Sequence, residues 1–188
     1  MRGVEQFDDI YLMREIQGGN RGAFSTLVNR HSKYFFAITY RFANNREIAE
    51  DILQTAFLKL WQRPYKFDCD GGAGFKTWFA RVVVNLCLDD RRARKPVRDI
   101  DKMEIADGRD GAPELIEKHQ KIAALHCAIR KLSTAQQTAI NLGIMNDMKY
   151  SDVGKIMNKS EGAVKVLINR AKVQLEISMK EMGYGMAA

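Results

Sequence analysis

Four cations lie within five residues, Arg91, Arg92, Arg94 and Lys95, at the end of the segment FKTWFARVVVNLCLDDRRARK that begins at Phe75. An aromatic, apolar first half that gives way to a cationic end suggests a helix laid on nucleic acid, where guanidinium and ammonium groups neutralise phosphates. Phe75, Trp78, Phe79, Val82, Val83, Leu86 and Leu88 recur largely at three- and four-residue intervals, the repeat of a helix that buries one stripe. Arg81 and Asn85, four apart, share the other face, and Asp89 extends it by a turn. A core helix with a solvated basic end has the same local sequence, so the rest of the chain has to decide.

A second polar set follows the turn at Asn158-Lys159. Glu161, Lys165, Asn169 and Lys172 stand outside the apolar stripe of a helix opened by Ser160. Lys165 and Lys172 can neutralise phosphates, Asn169 can bond a base edge or a phosphate, and the free N–H groups near Ser160 suit an anion. An ordinary exposed helix face carries the same residue types. A third set, Asp51 and Gln54 with Glu47 and Glu50 nearby, makes an acidic, polar face of the kind that invites a protein partner.

Covalent chemistry finds little support. FDCDGGAGFKT has glycines and a lysine before Thr77, but not the GxxxxGK[ST] order after a strand that a phosphate-binding loop needs. Asp89 and Asp90 are placed to pair with the arginines one turn on rather than with a metal. Cys69, Cys87 and Cys127 are odd in number and lack CxxC spacing, which indicates neither a disulfide framework nor a thiolate zinc site. His126 and Cys127 are adjacent and so point about 100° apart on a helix, which disfavours shared ligation. No catalytic residue, metal or cofactor is expected.

The elements that must position these groups are helical throughout. Asp8 or Asp9 can open a short helix through Ile10, Leu12, Met13 and Ile16, stopped at Gly18-Gly19. A second runs from about Arg21 to Phe42 over Phe24, Leu27, Val28, Phe35, Ile38 and Phe42. A third follows Asn44-Asn45 with Ile48, Ile52, Leu53, Phe57, Leu58 and Trp61, and ends before Pro64. Residues 67–74 are too glycine-rich for helix or strand and read as a mobile loop ahead of the basic helix. Leu115, Ile122, Leu125, Ile129 and Leu132 mark another helix. Ser133 with Gln136 has capping-box spacing ahead of Ala139, Ile140, Leu142 and Ile144. Ser151 opens a short helix with Val153, Ile156 and Met157, and Ser160 a long one with Val164, Leu167, Ile168, Ala171 and Leu175. That pair has helix-turn-helix spacing, which an ordinary helical hairpin also shows.

Charge divides the 188 residues into three stretches. Residues 1–95 hold 16 Lys/Arg against 11 Asp/Glu, residues 96–118 hold 4 against 7, and residues 119–188 hold 10 against 5. The middle stretch contains Pro96, Pro113, Gly108 and Gly111 and reads as a linker between two small domains. A net charge of +7 suits a polyanionic partner without requiring one. The start of the chain is acidic, and no apolar run reaches the roughly 18 residues a membrane span needs, so neither export nor membrane insertion is expected. A reducing cytoplasm is the simplest compartment.

The order EIAEDILQTAFLKLWQ, FKTWFARVVVNLCLDDRRARK, an acidic linker and LSTAQQTAINLGIMNDMKYSDVGKIMNKSEGAVKVLINRAKVQL closely resembles the extracytoplasmic-function (ECF) sigma factors of the sigma-70 family. The resemblance implies an all-α fold of two small helical domains joined by a flexible linker. Region 2 would occupy residues 1–95, the linker 96–118, region 4 with its helix-turn-helix 119–182, and a tail 183–188. It implies a non-enzymatic protein that binds bacterial RNA polymerase core, at the β′ clamp helices and the β flap, and directs it to promoter DNA. By position, Glu50, Asp51, Gln54, Phe57 and Leu58 resemble the helix that docks on the clamp helices. Loop 67–74 resembles the element that receives a base flipped from the −10 sequence, with Asn85 at its edge; a glycine-rich rim suits base extrusion. Asp68, Lys76, Arg81, Arg91, Arg92, Arg94 and Lys95 complete the −10 set, and Trp78 resembles a packing position. Lys159, Ser160, Glu161, Gly162, Lys165 and Asn169, with Arg170 and Lys172 near the backbone, resemble the −35 reader.

Two departures bear on specificity. The family often has Thr-Val-Lys-Ser-Arg in the recognition helix, where this chain has Ala163-Val164-Lys165-Val166-Leu167. The loop carries Asp68 and Asp70, which oppose phosphate and suit an inhibitor or polymerase contact instead. Since only GYGMAA follows Met182, regulation is expected from a separate anti-sigma protein. Two other readings compete: a sigma mimic that sequesters an anti-sigma factor without touching DNA, and a two-helix regulator that uses only residues 119–182. The surviving RRARK run argues against the first, and the second leaves the first bundle without a role.

Overall fold

Residues 7–72, 74–94 and 113–184 are described by a computed structural model. Lys95 and residues 96–112 of the expected linker lie outside the described residues, and from Pro113 the chain is already helical. Every regular element among the described residues is a helix. Packing divides the chain into two compact units, Met1–Lys95 with Asp152–Lys159, and Pro96–Ser151 with Ser160–Ala188.

The first unit is built on α1 (Asp9–Gln17), α2 (Arg21–Ala43), α3 (Arg46–Gln62) and α4 (Phe75–Ala93), with a 3-10 turn at Pro64–Lys66. Short polar side chains set the helix starts: Asp8 Oδ1 accepts the Tyr11 N–H at 2.7 Å, and Asn45 Oδ1 accepts that of Ile48 at 3.0 Å. Asn44 ends α2 at φ 50°, a left-handed conformation that asparagine tolerates better than most residues.

Helix α2 packs on α1, α3 and α4, and α3 packs on α4. The shared interior is aromatic. Phe35 and Phe79 are fully buried and meet edge-on at 4.8 Å. Phe75 stacks on Phe79 at 5.3 Å, and Phe57 meets Phe79 at 4.9 Å. Each buried ring contributes about 1.5–3 kcal/mol by leaving water, and a ring pair adds about 0.5–1.5 kcal/mol. The expected stripe of α2 is corrected in part: Phe24, Val28 and Phe42 are half-buried, whereas Ala23, His31 and Thr39 are buried. His31 is admitted because Asp9 supplies a polar partner 2.9 Å from its Nε2.

The second unit contains α5 (Pro113–Lys131), α6 (Thr134–Ile140), a π turn at Asn141–Met145 and α8 (Glu161–Glu181), with α5 and α6 packed on α8. The expected capping box forms, with Ser133 and Gln136 bonding each other's backbone. The expected stripe, Leu115, Ile122, Leu125, Ile129 and Leu132, holds at Leu132 but not at Ile122 and Leu125, and the side chain of Leu115 lies outside the described residues. Ile122 and Leu125 are exposed and Ile129 is half-buried, while Ala124, Ala128 and Leu132 are buried. Small side chains let α5 approach α8 closely, so the face in contact is the one with alanines rather than the one with the larger residues. Ile144 is likewise 42% exposed, because the π winding after Ile140 turns the apolar stripe. Buried Gly143 leaves no spare room: a Cβ there would stand 3.0 Å from Ile168 Cδ1.

The short helix α7 (Tyr150–Met157) begins one residue before the expected Ser151. Asn158 at φ 53° ends it, and the Lys159 N–H closes on the Gly154 carbonyl at 2.9 Å. Among the described residues no helix is long and apolar enough to cross a membrane.

Candidate nucleic-acid interface

The expected stripe of α4 holds in part: Phe75, Phe79 and Val83 are buried, but Trp78, Val82, Leu86 and Leu88 are half-buried, and Ala80, Val84 and Cys87 join the core instead. Lys76, Arg81, Asn85, Asp89, Arg91, Arg92 and Arg94 are exposed. The end of the helix carries its own counter-charges: Arg92 Nη1 lies 3.1 Å from Asp89 Oδ1, and Arg94 Nη2 lies 2.9 Å from Asp90 Oδ1. Pairs this exposed bind weakly, so a phosphate can replace the carboxylate. Lys76 Nζ stands 5.3 Å above the ring of Tyr34, which steers its ammonium without neutralising it.

The loop ahead of α4 is not free along its whole length. Phe67 is 2% exposed, with its ring edge-on to Trp78 at 5.3 Å and to Phe75 at 6.0 Å. Gln17 Nε2 donates to the carbonyls of Phe67 at 2.9 Å and Pro64 at 3.2 Å. Asp68, expected on the DNA side, turns into the loop, and its Oδ1 accepts the Asp70 N–H at 2.9 Å. The side chain of Asp70 is 85% exposed and takes a 2.6 Å hydrogen bond from Arg14. Within the expected loop, residues 67–74, Phe67 is thus anchored in the core. Gly71, Gly72 and Gly74 remain exposed at the loop's rim, and Gly72 holds φ 68°, which favours glycine.

Between the end of α3 and α4 lies a cavity of about 460 Å³ lined by Lys59, Arg63, Lys66, Trp78 and Val82, among others. Sequence reasoning missed these three cations because they sit at the end of α3 and in the 3-10 turn, apart from any basic run. Their proximity to Trp78 appears only once α3 and α4 are packed.

On α3, Asp51 and Gln54 are exposed, and Leu58 is 54% exposed. Glu50 accepts 2.8 Å from Arg46 Nε. Phe57 is corrected out of this face: it is 7% exposed and packs on Phe24 and Phe79. Leu58, conversely, leaves the expected core stripe and joins the outer face.

Helix α8 starts as expected, with Ser160 Oγ accepting the Ala163 N–H at 3.2 Å. Lys159, Glu161, Gly162, Lys165, Asn169, Arg170 and Lys172 are all exposed, opposite buried Val164, Ile168 and Ala171. Lys165 Nζ lies 2.8 Å from Glu161 Oε1, and that hydrogen bond raises the lysine's pKa. Among the described residues no group of three or more His, Cys, Asp or Glu side chains gathers as metal ligands.

Sigma-70 region 2 matches residues 27–97, and Sigma-70 region 4 matches residues 122–175. The ECF RNA polymerase sigma factor SigW of Bacillus subtilis is 26% identical over 183 residues, covering 90% of this chain and 96% of SigW. The chain belongs to the sigma-70 family, as an ECF RNA polymerase sigma factor.

Two solved structures share the fold. CnrH, in complex with the cytosolic domain of CnrY, aligns at a TM-score of 0.71 with 22% identity, over 92% of this sigma factor and 97% of that chain. The sigma factor RpoE from Bartonella quintana, in complex with the anti-sigma factor NepR, aligns at 0.64 with 23% identity, over 84% and 96%. Within this sigma factor the region 2 match holds most of α2 with α3 and α4, and the region 4 match runs from α5 into α8. Helix α1 precedes both, and reading the sequence left it without a role.

Proposed function

We propose that this sigma factor is a promoter-specificity subunit without catalytic chemistry of its own, acting in the cytoplasm on bacterial core polymerase. Residues 1–95 serve as the domain that docks on polymerase and opens the −10 element, and 119–182 as the domain that reads the −35 element, with 96–118 between them. One observation carries the reading: α4 leaves Arg81, Asn85, Arg91 and Arg92 exposed, with exposed Arg94 at its C-cap, while Phe75, Phe79, Val83 and Cys87 of the same helix are buried. A rigid cationic helix beside a glycine rim can hold strand phosphates while a base is drawn out of the stack.

Asp51, Gln54 and Leu58 form the docking face toward the clamp helices, with Glu50 at its edge and Phe57 supporting it from inside. Lys59, Arg63 and Lys66 supply further phosphate contacts beside Trp78. In region 4, Lys165, Asn169, Arg170 and Lys172 face the −35 duplex, and Ser160 presents the start of α8 to its backbone. An anti-sigma protein is the expected regulator, supported by the solved relative bound to one.

Run-off transcription tests the proposal, with purified core polymerase, this protein and a pool of genomic promoter fragments. Discrete transcripts that require the protein are expected. Core binding with no transcript from any fragment would remove the promoter assignment, and loss of core binding would favour a sequestering mimic.

A further inference from the structure

Helix α1 is tied down at both ends. At its start, Asp9 Oδ1 accepts Arg30 Nη1 at 2.8 Å, and Oδ2 lies 2.9 Å from His31 Nε2. Along its length Leu12, Met13 and Ile16 are at most 1% exposed. At its end the carboxamide of Gln17 is fully engaged with the loop stem. Nε2 donates to Pro64 O and Phe67 O, and Oε1 accepts from Cys69 Sγ at 3.6 Å.

Loop carbonyls need partners, and outside regular structure those partners are supplied one by one. For Phe67 the donor comes from a residue 50 positions earlier in the chain, while the Pro64 carbonyl is shared between Gln17, 47 positions earlier, and the local Phe67 N–H at 3.1 Å. The shape of the stem therefore depends on α1. Arg14 and Asp70 add a second tie, but their side chains are 60% and 85% exposed, so that pair contributes little beside the part-buried Gln17 bond. Phe67 is held twice, by its ring under Trp78 and Phe75 and by its carbonyl on Gln17. The exposed glycines Gly71 and Gly72 follow within five residues of this fixed point.

We infer that Gln17 is a positioning residue for promoter opening: it fixes the Pro64–Phe67 stem on α1, so that the glycine rim meets an extruded −10 base in one geometry. A site that discriminates bases must be held to within about 0.5 Å, which a stem whose Phe67 carbonyl lacks a partner does not provide. The inference rests on the loop's proposed role in receiving that base.

The test uses the full-length protein with core polymerase on a promoter from the run-off assay and on its single-base variants in the −10 element. Gln17→Glu keeps the side chain's size, removes both N–H donors and sets a carboxylate against two carbonyls. Gln17→Met keeps the length without polar atoms and carries the test if the glutamate variant loses helicity. Open-complex formation should fall on the order of tenfold, as for loss of two hydrogen bonds. The preference for the best −10 base over its substitutes should flatten by a similar factor, with core affinity unchanged. A merely structural role would not move that preference ratio. Gly71→Val perturbs the rim itself, since a Cβ there would stand 2.8 Å from Asp68 Oδ2. If Gly71→Val flattens the preference and the Gln17 variants do not, Gln17 has no positioning role and the loop assignment stands. If none of the three alters it, the loop assignment fails and the inference fails with it.

Discussion

Asp9 Oδ2 stands 2.9 Å from Nε2 of His31, a side chain 2% exposed, while the other oxygen of the same carboxylate accepts from Arg30 at 2.8 Å. The start of α1 is thereby fastened to α2. Burial opposes ionisation of Asp9, but the hydrogen bonds from His31 and Arg30 outweigh it and hold its carboxyl below the ordinary value.

A carboxyl whose folded pKa is depressed contributes stability above its unfolded pKa, and the contribution is lost as pH falls through the folded value. Asp9→Asn should therefore cost about 1 kcal/mol near neutral pH, a figure discounted for partial exposure. Urea melts should show the gap between the two proteins closing once pH drops below the ordinary value of 3.8. A gap that stays constant into strong acid would mean that ionised Asp9 is not what stabilises this corner.

Ala128 is 1% exposed on the face that α5 turns to α8, while Ile122 is 42% exposed. Ala128→Leu should destabilise by about 1–3 kcal/mol through overpacking. Ile122→Ala should stay within about 0.5 kcal/mol, as surface changes usually do. Denaturant midpoints for the two variants in the reverse order would restore the larger residues as the buried stripe.

Cys87 is buried, and burial, with help from the negative charge of Asp90, pushes its thiol up to about 12. At pH 8 only about one molecule in ten thousand carries the thiolate there, whereas Cys127 is exposed. A thiol reagent followed by peptide mapping should label Cys127 in the folded protein and reach Cys87 only on unfolding. Early modification of Cys87 would show that α4 opens locally.

Lys165 is bonded to Glu161 at 2.8 Å on the outer face of α8. Glu161→Gln should free the ammonium and strengthen duplex binding, and Lys165→Ala should reduce the slope of log affinity against log salt by about 0.9. Both are read by fluorescence anisotropy on a −35 duplex across a salt series. An unchanged slope would take Lys165 off the phosphate backbone.

The two faces of the first unit should separate genetically. Arg91, Arg92 and Arg94 changed together to alanine should abolish promoter opening and leave polymerase binding intact. Asp51→Ala with Gln54→Ala should weaken holoenzyme assembly by about 1–2 kcal/mol at most, since both are solvent-facing. Permanganate footprinting and a core-binding assay read the two effects, and normal assembly by the double variant would remove that face from docking.

What the amino-acid sequence determined on its own was local. The helices, the Ser133 and Ser160 caps, and the presence of an apolar stripe and a cationic end in α4 follow from spacing and capping chemistry, which act within a few residues. The choice of Asp8 over Asp9 and the Asn45 cap came from the structure. Helix-turn-helix order was legible for the same reason as the helices, with its turn at Asn158-Lys159; the left-handed φ of 53° at Asn158 came from the structure. Tertiary packing decided which of two apolar faces each helix buries. Phe57 went inward and Leu58 outward on α3, and α5 turned its alanines to α8, because burial depends on the shape of the partner as well as on hydrophobicity. It also decided where loop polar groups find partners. Gln17 and Phe67 are 50 positions apart, and no periodicity links them; only the docking of α1 beside the loop brings an amide to a carbonyl that would otherwise lack a partner.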